Sequence, residues 1–262
     1  MTVQFLRLDH ELLAKEHVLV DMHLHTKYSM DCATKPALVY KMARKNHIGI
    51  AVTDHNDIKG VKALSAHKDL LLIPGIEVTS KELKDILLYF ESVRDLQEYY
   101  DKVLLPHKGR VKRIRDKIKL PMQTIIEKAK QYQATIAIPH PFALKNNYLF
   151  FSDPRYAHLV RNVDAVEVAN GTQGRKENLA SYGWSQLVRK PAIGGSDSHI
   201  YMSIGCIVTA THGRTPASFL EQVRSGNSRV FGTEARRHVK IVSNLALMKN
   251  KLLKNKRIPL RI

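Results

Sequence analysis

The hydrophobic and polar positions of the chain alternate between short apolar runs and longer stretches with helical periodicity. Apolar runs bounded by turn residues predict buried strands, whereas a 3.6-residue period predicts amphipathic helices. The predicted strands are residues 18–24, 48–53, 70–73, 76–79, 86–90, 135–139, 164–168, 192–195, 205–210 and 229–231. The predicted helices are residues 36–47, 58–67, 175–189 and 216–225, with two or three more between 94 and 133.

This repeated order of strand and helix predicts an α/β fold with a mainly parallel sheet, either open or closed into a barrel. The length of 262 residues suits one large domain or two small ones. No linker rich in Gly, Pro or Ser divides the chain, and no internal repeat is present. We therefore expect one domain over residues 1–234, followed by a basic tail over residues 235–262.

The positive charge of the chain is concentrated in two segments. The formal net charge is +18. Residues 102–119 contain eight Lys or Arg against one acidic residue, and residues 235–262 contain nine and no acidic residue. Such segments attract polyanions by counterion release, or they are simply solvated helix faces and tails. They are therefore candidates for binding nucleic acid, with solvated surface as the alternative.

Composition argues against a membrane protein and against a disulfide-stabilised secreted protein. No apolar stretch approaches the roughly 20 residues that a membrane-spanning helix needs. The first 17 residues carry charges throughout and lack the apolar core of a secretory signal. The two cysteines, Cys32 and Cys206, form neither a disulfide framework nor a cysteine-rich zinc site. We expect a cytoplasmic protein with no membrane partner.

Side chains able to bind metals follow five of the predicted strands. Residues i and i+2 of a strand point to the same side, so His23 and His25 can reach one ion, and Asp197 and His199 repeat this spacing. In parallel α/β folds, the carboxyl ends of the strands form the active-site face. Each motif alone has an ordinary structural explanation, such as a helix cap, but all five meeting at one edge by chance is improbable. The other candidates in this pattern are Asp31, His55, Glu77, Asp85 and His140.

Taken together, these motifs resemble those of the polymerase and histidinol phosphatase (PHP) superfamily. HLHTKYSMD at residues 23–31 is similar to its first motif, and TDHN at 53–56 is similar to its second. GIEVTS, IPHPF and GGSDSH, at residues 75–80, 138–142 and 194–199, resemble its later motifs in the same order. The resemblance implies a distorted (β/α)7 barrel of the TIM-like type that binds up to three divalent metal ions.

The resemblance also implies a ligand set for each ion. One ion would take His23, His25, Glu77 and Asp197. A second would share Glu77 as a bridge and take His140 and Asp85, and a third would take Asp31, His55 and His199. The family usually has histidine where this chain has Asp85, so either a carboxylate replaces the imidazole or the second ion is weak or absent. The substitution favours Mn²⁺, Fe²⁺ or Mg²⁺ somewhat over Zn²⁺, because it adds negative charge and a harder ligand.

The implied chemistry is phosphate ester hydrolysis. Metal ions a few ångströms apart lower the pKa of a bridging water and neutralise the charge of the phosphate during in-line attack. The residues implied to act in catalysis are Glu77, Asp197 and His199. Arg175 and Lys81 are candidates for binding the substrate phosphate, with a surface role as the alternative, and Asp54 is expected to orient an imidazole.

Three functions fit these features. The first is a phosphatase or phosphodiesterase acting on a small phosphorylated metabolite or nucleotide. The second is a nuclease, or a nucleic-acid-associated protein, whose basic segments at 102–119 and 235–262 bind DNA or RNA. The third is a non-enzymatic metal-stabilised domain that supports a nucleic-acid enzyme, and the complete ligand set argues against it.

Overall fold

The protein is described from a computed structural model, which covers residues 3–109, 117–143 and 147–236, together with residues 239 and 242. Ten strands form one sheet: β1 (Val3–Phe5), β2 (Val18–Leu24), β3 (Gly49–Val52), β4 (Leu72–Thr79), β5 (Asp85–Tyr89), β6 (Thr135–Ile138), β7 (Ala165–Asn170), β8 (Ala192–Gly195), β9 (Ile207–Thr211) and β10 (Arg229–Gly232). The helices are α1 (His10–Leu13), α2 (Pro36–Lys45), α3 (Lys59–Leu64), α4 (Val93–Tyr99), α5 (Met122–Gln131), α6 (Asn147–Ser152), α7 (Arg175–Leu187) and α8 (Pro216–Arg224). None of these helices is long and apolar enough to cross a membrane.

The sheet curves into a nearly closed barrel. Its strand order is β1-β10-β9-β2-β3-β4-β5-β6-β7-β8. The backbone after β8 returns to β2, where the amide of Asp197 donates to the carbonyl of His23 (2.6 Å) and the amide of His25 donates to the carbonyl of Ser198 (3.0 Å). The predicted distorted α/β barrel is therefore confirmed. We call this contact between residues 23–25 and 197–199 the β2–β8 junction.

Two layers of apolar side chains stabilise the barrel. Each of the seven strands from β2 to β8 contributes to one buried cluster, together with Phe219, Leu220 and Val223 of α8. A second cluster packs the outer surface of the strands against the surrounding helices. Helix α2 shows how these helices form, because Pro36 occupies its first turn and Val39 and Ala43, four residues apart, bury one face.

The expectation of a mainly parallel sheet holds for five of the nine described strand pairings, but the other four are antiparallel, so the sheet is mixed. β4 pairs antiparallel with β5, β5 with β6, and β9 with both β2 and β10. Only five residues separate Thr79 from Asp85, whereas a parallel crossover needs about a dozen. The two runs predicted at 70–73 and 76–79 are a single strand, since Pro74 ends the pairing with β3 and Gly75 begins the pairing with β5. β1, α1 and α6 were not predicted.

Candidate metal centre

Nine side chains converge where the strands of the barrel end. His23 lies in β2 and His25 directly follows it. Glu77 lies in β4 and Asp85 begins β5, the two strands of an antiparallel hairpin. The other five lie in the segments that follow β2, β3, β6 and β8: Asp31, His55, His140, Asp197 and His199. These are the nine residues that the sequence predicts as metal ligands.

Glu77 lies at the centre of this group. Its Oε2 atom is 3.1 Å from Nδ1 of His55, 3.4 Å from Nε2 of His23 and 3.5 Å from Nε2 of His25. Its Oε1 atom is 3.2 Å from Nε2 of His140. One buried carboxylate therefore directs its two oxygens to different sets of imidazoles, which is the geometry that a ligand bridging two ions requires.

Two further carboxylates complete the arrangement. Oδ1 of Asp197 is 3.1 Å from Nε2 of His25 and 3.6 Å from Nε2 of His23 at the β2–β8 junction. Oδ2 of Asp31 is 3.3 Å from Nε2 of His55 and 3.2 Å from Nε2 of His199 on the more exposed side. Each carboxylate thus lies between two imidazoles.

The nine side chains fall into four overlapping groups, and the ligand atoms of each group lie within 4.8 Å of one another. Imidazole nitrogen combined with carboxylate oxygen suits Mn²⁺, Fe²⁺ and Zn²⁺, so the donor set fits divalent cations. Cys32 lies close by, but its thiol contacts the carbonyls of His25 and His199, and burial raises its pKa to about 12. The groups are His23–His25–Asp197, His23–Glu77–His140, His25–Asp31–His55–His199 and His55–Glu77–Asp85.

These groups differ from all three implied ligand sets. Glu77 does not group with His23, His25 and Asp197, and His25 joins the group of Asp31, His55 and His199. The set that combines Glu77, His140 and Asp85 is divided, because His140 groups with His23 and Asp85 groups with His55. Asp85 also accepts a hydrogen bond from the hydroxyl of Thr79, at 2.6 Å. Its carboxylate is fully buried, and one of its oxygens lies within 4.8 Å of the ligand atoms of His55 and Glu77.

The electrostatics of the side chains match a cation site. Burial alone would raise the pKa of Asp31 and Asp197, but the neighbouring histidines lower both below their ordinary value. Burial opposes protonation of His199, yet Asp31 and Asp197 raise its pKa to about 9. Burial and the positive charge of His199 lower the pKa of His25 to about 4. Asp31 and Asp197 are therefore ionised, and their negative charge is stabilised by nearby positive charge, as that of a cation ligand is.

Glu167 is a supporting residue that the sequence analysis missed. It is buried in β7, and its Oε1 lies 3.0 Å from Nδ1 of His23. Its Oε2 accepts hydrogen bonds from the amide of His140 (2.8 Å) and from Nδ2 of Asn170 (3.0 Å). A carboxylate behind a histidine fixes the orientation of the ring and increases its basicity. The signal was a glutamate within the apolar run VDAVEVA, because a buried carboxylate must have partners.

Asp197 is oriented in a similar way. Its Oδ2 accepts hydrogen bonds from the hydroxyl of Thr172 (3.0 Å) and from Nδ2 of Asn170 (3.3 Å), so its Oδ1 is the oxygen that faces His23 and His25. Its backbone φ is +48°, and that of His140 is +26°, both in the left-handed region that non-glycine residues avoid. Strained backbone at two candidate ligands is typical of a functional site.

Asp54 does not orient an imidazole as expected. Its Oδ1 accepts from the amide of Thr26 (2.6 Å) and its Oδ2 accepts from the hydroxyl of the same residue (2.7 Å). It thereby fixes the loop between His25 and Asp31. Asp54 follows β3, which pairs with β2, so its short side chain lies beside the loop that follows β2.

Among the described residues of the basic segment at 102–119, Lys108 contacts the loop that follows β3. Nζ of Lys108 donates to the carbonyl of Asn56 (2.6 Å) and contacts the hydroxyl of Tyr100 (3.2 Å). Asn56 directly follows His55, so Lys108 stabilises the loop that carries a candidate ligand. Residues 110–116, and all of the tail after residue 236 except 239 and 242, lie outside the described residues.

The side-chain contacts described for the two candidate phosphate-binding residues, Arg175 and Lys81, do not involve the nine candidate ligands. Arg175 forms an ion pair with Glu234, with Nε–Oε1 and Nη2–Oε2 distances of 2.7 and 2.9 Å, and its guanidinium stacks on the ring of Phe5. Lys81 is exposed in the turn between β4 and β5. Arg175 therefore has a structural partner in the described part of the chain, and its role in phosphate binding gains no support.

The sequence of the chain matches models of known protein families. The PHP domain model matches residues 21–164, which is more than half of the chain. The chain belongs to the PHP family. A second model, described as PHP-associated, matches residues 175–228 of this PHP protein. The class predicted from the sequence, a metal-dependent phosphoesterase and therefore a hydrolase, is that of this family.

Solved structures share the fold of this PHP protein at low sequence identity, and comparison with curated proteins gives no match. PsfC from Pseudomonas syringae PB-5123 is 15% identical with a TM-score of 0.65, and the alignment covers 89% of this chain and 98% of that one. A two-domain protein from Bacteroides vulgatus, containing a predicted PHP-like metal-dependent phosphoesterase, is 15% identical with a TM-score of 0.63 over 95% and 73% of the chains. The lesion-specific endonuclease PfuEndoQ from Pyrococcus furiosus is 18% identical with a TM-score of 0.64 over 82% and 57%.

Proposed function

We propose that this PHP protein hydrolyses phosphate esters of a small phosphorylated metabolite or nucleotide, at a centre of up to three divalent ions bound by the nine side chains. The position of Glu77 carries the proposal, since its two oxygens face four imidazoles at 3.1 to 3.5 Å. Ions bound there would polarise the phosphoryl group and activate water.

The protein side chains have distinct roles in this proposal. Glu77 would hold ions through its carboxylate, and Asp197 would contribute Oδ1, because its Oδ2 accepts hydrogen bonds from Thr172 and Asn170. His199 and Asp31 lie on the accessible side, where their side chains are 12% and 27% exposed, so this is the side from which a phosphate enters. The carboxylate of Asp85 favours Mn²⁺ or Fe²⁺ over Zn²⁺.

The test combines metal analysis with hydrolysis assays on protein purified without chelator. We expect bound Mn, Fe or Zn, and hydrolysis of p-nitrophenyl phosphate or bis-p-nitrophenyl phosphate. Replacing both His23 and His25 with Ala should abolish hydrolysis and reduce the metal content while the circular dichroism spectrum is retained. The matched control replaces the exposed His107 and His158 with Ala. Equal activity of the two double variants would refute the proposed site.

A nuclease activity is the second candidate, favoured by the concentration of the +18 net charge in residues 102–119 and 235–262. Deleting residues 236–262 should then reduce cleavage of DNA or RNA while leaving hydrolysis of small esters unchanged. Equal loss on both classes of substrate would indicate a structural tail instead.

A further inference from the structure

A groove adjoins the metal centre on its accessible side. It has a volume of about 650 Å³ and lies between α2 and the turn at residues 199–202. His199 belongs to both places, because its Nε2 is 3.2 Å from Oδ2 of Asp31 in the centre and the residue also lines the groove. A molecule whose phosphate binds at the centre beside His199 can therefore extend into this groove.

The lining of the groove combines apolar surface with positive charge. Tyr201 and Met202, which are 43% and 46% exposed, line the groove together with Val242 at 45%, so three large hydrophobic side chains present apolar surface there. Leu38 of α2 contributes to the opposite wall. Lys35 and Lys41 are the charged residues of the lining, which contains no carboxylate within the described part of the chain.

This combination identifies the chemistry of an occupant. An aromatic ring stacks favourably on a tyrosine and makes favourable contacts with a methionine sulfur. The two lysines favour a molecule that carries negative charge. We propose that the groove binds the aromatic organic group of a phosphate ester whose phosphate lies at the metal centre. This inference rests on the proposed function, and it names the substrate class as aromatic esters, of which nucleoside phosphates are one kind.

The test measures binding rather than turnover. Phenylphosphonate and methylphosphonate resist hydrolysis and differ in the ring alone, so calorimetry on the Mn²⁺-loaded protein isolates the contribution of the ring. We expect phenylphosphonate to bind about tenfold more tightly, from partial burial of its apolar surface. In a Tyr201→Ala/Met202→Ala variant the two affinities should agree to within about twofold. The control, Leu187→Ala, removes a side chain that is 83% exposed on α7 and should keep the preference.

Two results would overturn the inference: equal affinities in the wild-type protein, or a preference that survives in the double variant. Hydrolysis of phenyl phosphate and methyl phosphate by the same samples tests the proposed function separately. Hydrolysis without a ring preference would refute the groove alone. A ring preference that depends on Tyr201 and Met202, without hydrolysis of either ester, would support the groove and count against the proposed activity.

Discussion

The β2–β8 junction and the β4–β5 hairpin position their candidate ligands in different ways. At the junction, one polar atom of each candidate ligand faces the centre and the other is held by a hydrogen bond. Glu167 contacts Nδ1 of His23, and Thr172 and Asn170 donate to Oδ2 of Asp197. At the hairpin, the described contacts of the Glu77 carboxylate are all to imidazoles. The ligands of the junction are therefore oriented by hydrogen bonds to residues outside the ligand set, whereas the Glu77 carboxylate is stabilised by positive charge on the imidazoles, or on ions, within the centre.

The largest effect that this comparison predicts is for Glu77→Gln. The neutral amide presents one oxygen instead of two and removes the charge that faces four imidazoles. We expect kcat/KM for phosphate esters to fall by about 1,000-fold or more, with loss of bound metal measured by elemental analysis. Glu11→Gln, on the exposed face of α1, is the matched control. Full metal content with activity within tenfold of the wild type would show that Glu77 is not a ligand.

Glu167→Gln tests the support of the junction and should have a smaller effect. The single oxygen of glutamine cannot serve both His23 and the amide of His140, which Glu167 contacts through separate oxygens. Metal affinity should fall by about 10- to 100-fold, measured by competition with a chelator. Because the ligands themselves remain, excess metal should restore activity. An unchanged affinity, equal to that of the exposed control Glu127→Gln, would mean that Glu167 serves the fold alone.

The same contrast explains what the sequence could predict. The strand at 18–24 and the ligand spacing of His23 and His25 follow from local periodicity, and the barrel followed from the resemblance of the ordered motifs. The antiparallel hairpin was missed because the strand and helix alternation was extended across a five-residue connection that is too short for a crossover. The single strand β4 was divided at Pro74 because proline and glycine usually end a strand.

Supporting residues were harder to predict than ligands. Glu167 reaches His23 across 144 positions of sequence, and Lys108 reaches the carbonyl of Asn56 across 52. No local pattern encodes such contacts, since they exist only after the barrel closes. A charged residue within an apolar run, such as Glu167 or Asp21, signals that a buried partner exists without naming it. Asp21 in fact accepts hydrogen bonds from the amides of Ser196 and Gly205, both at 2.8 Å.

Asp85 is the second candidate ligand of the hairpin, and its substitution tests whether the hairpin contributes one ligand or two. If the Asp85 carboxylate binds a cation, Asp85→Asn should lower the affinity for one ion by about tenfold and leave the ions at the junction in place, as read from metal content after dialysis. Asp85→His should keep the full metal content and shift the preference toward Zn²⁺.

The control for Asp85 is Thr79→Val, which removes the 2.6 Å hydrogen bond but keeps the carboxylate. If Asp85 is a ligand, this variant should retain more metal than Asp85→Asn. Unchanged metal content in Asp85→Asn would instead show that Asp85 is not a ligand, and would leave Glu77 as the one ligand of the hairpin among the described residues.

The smallest effect on activity is expected for Arg175, the exposed residue at the end of the hydrogen-bond chain that begins at Asn170 near the junction. Asn178 connects Asn170 to Glu234, and Glu234 pairs with Arg175. Since the Arg175 side chain is 45% exposed, Arg175→Met should cost about 0.5 kcal/mol in the free energy of unfolding and change kcat/KM by less than about twofold.

The pH dependence of unfolding isolates this ion pair. Burial would raise the pKa of Glu234, but its hydrogen bonds and the charge of Arg175 lower it from 4.5 to about 2. A carboxyl group with a lowered pKa stabilises the fold above its ordinary pKa and loses that contribution as the pH falls toward the lowered value. The stability difference between wild type and Arg175→Met should therefore narrow from pH 5 to pH 2 in urea denaturation. A tenfold loss of kcat/KM at unchanged stability would instead return Arg175 to phosphate binding, because the ion pair would then have no structural role to explain the loss.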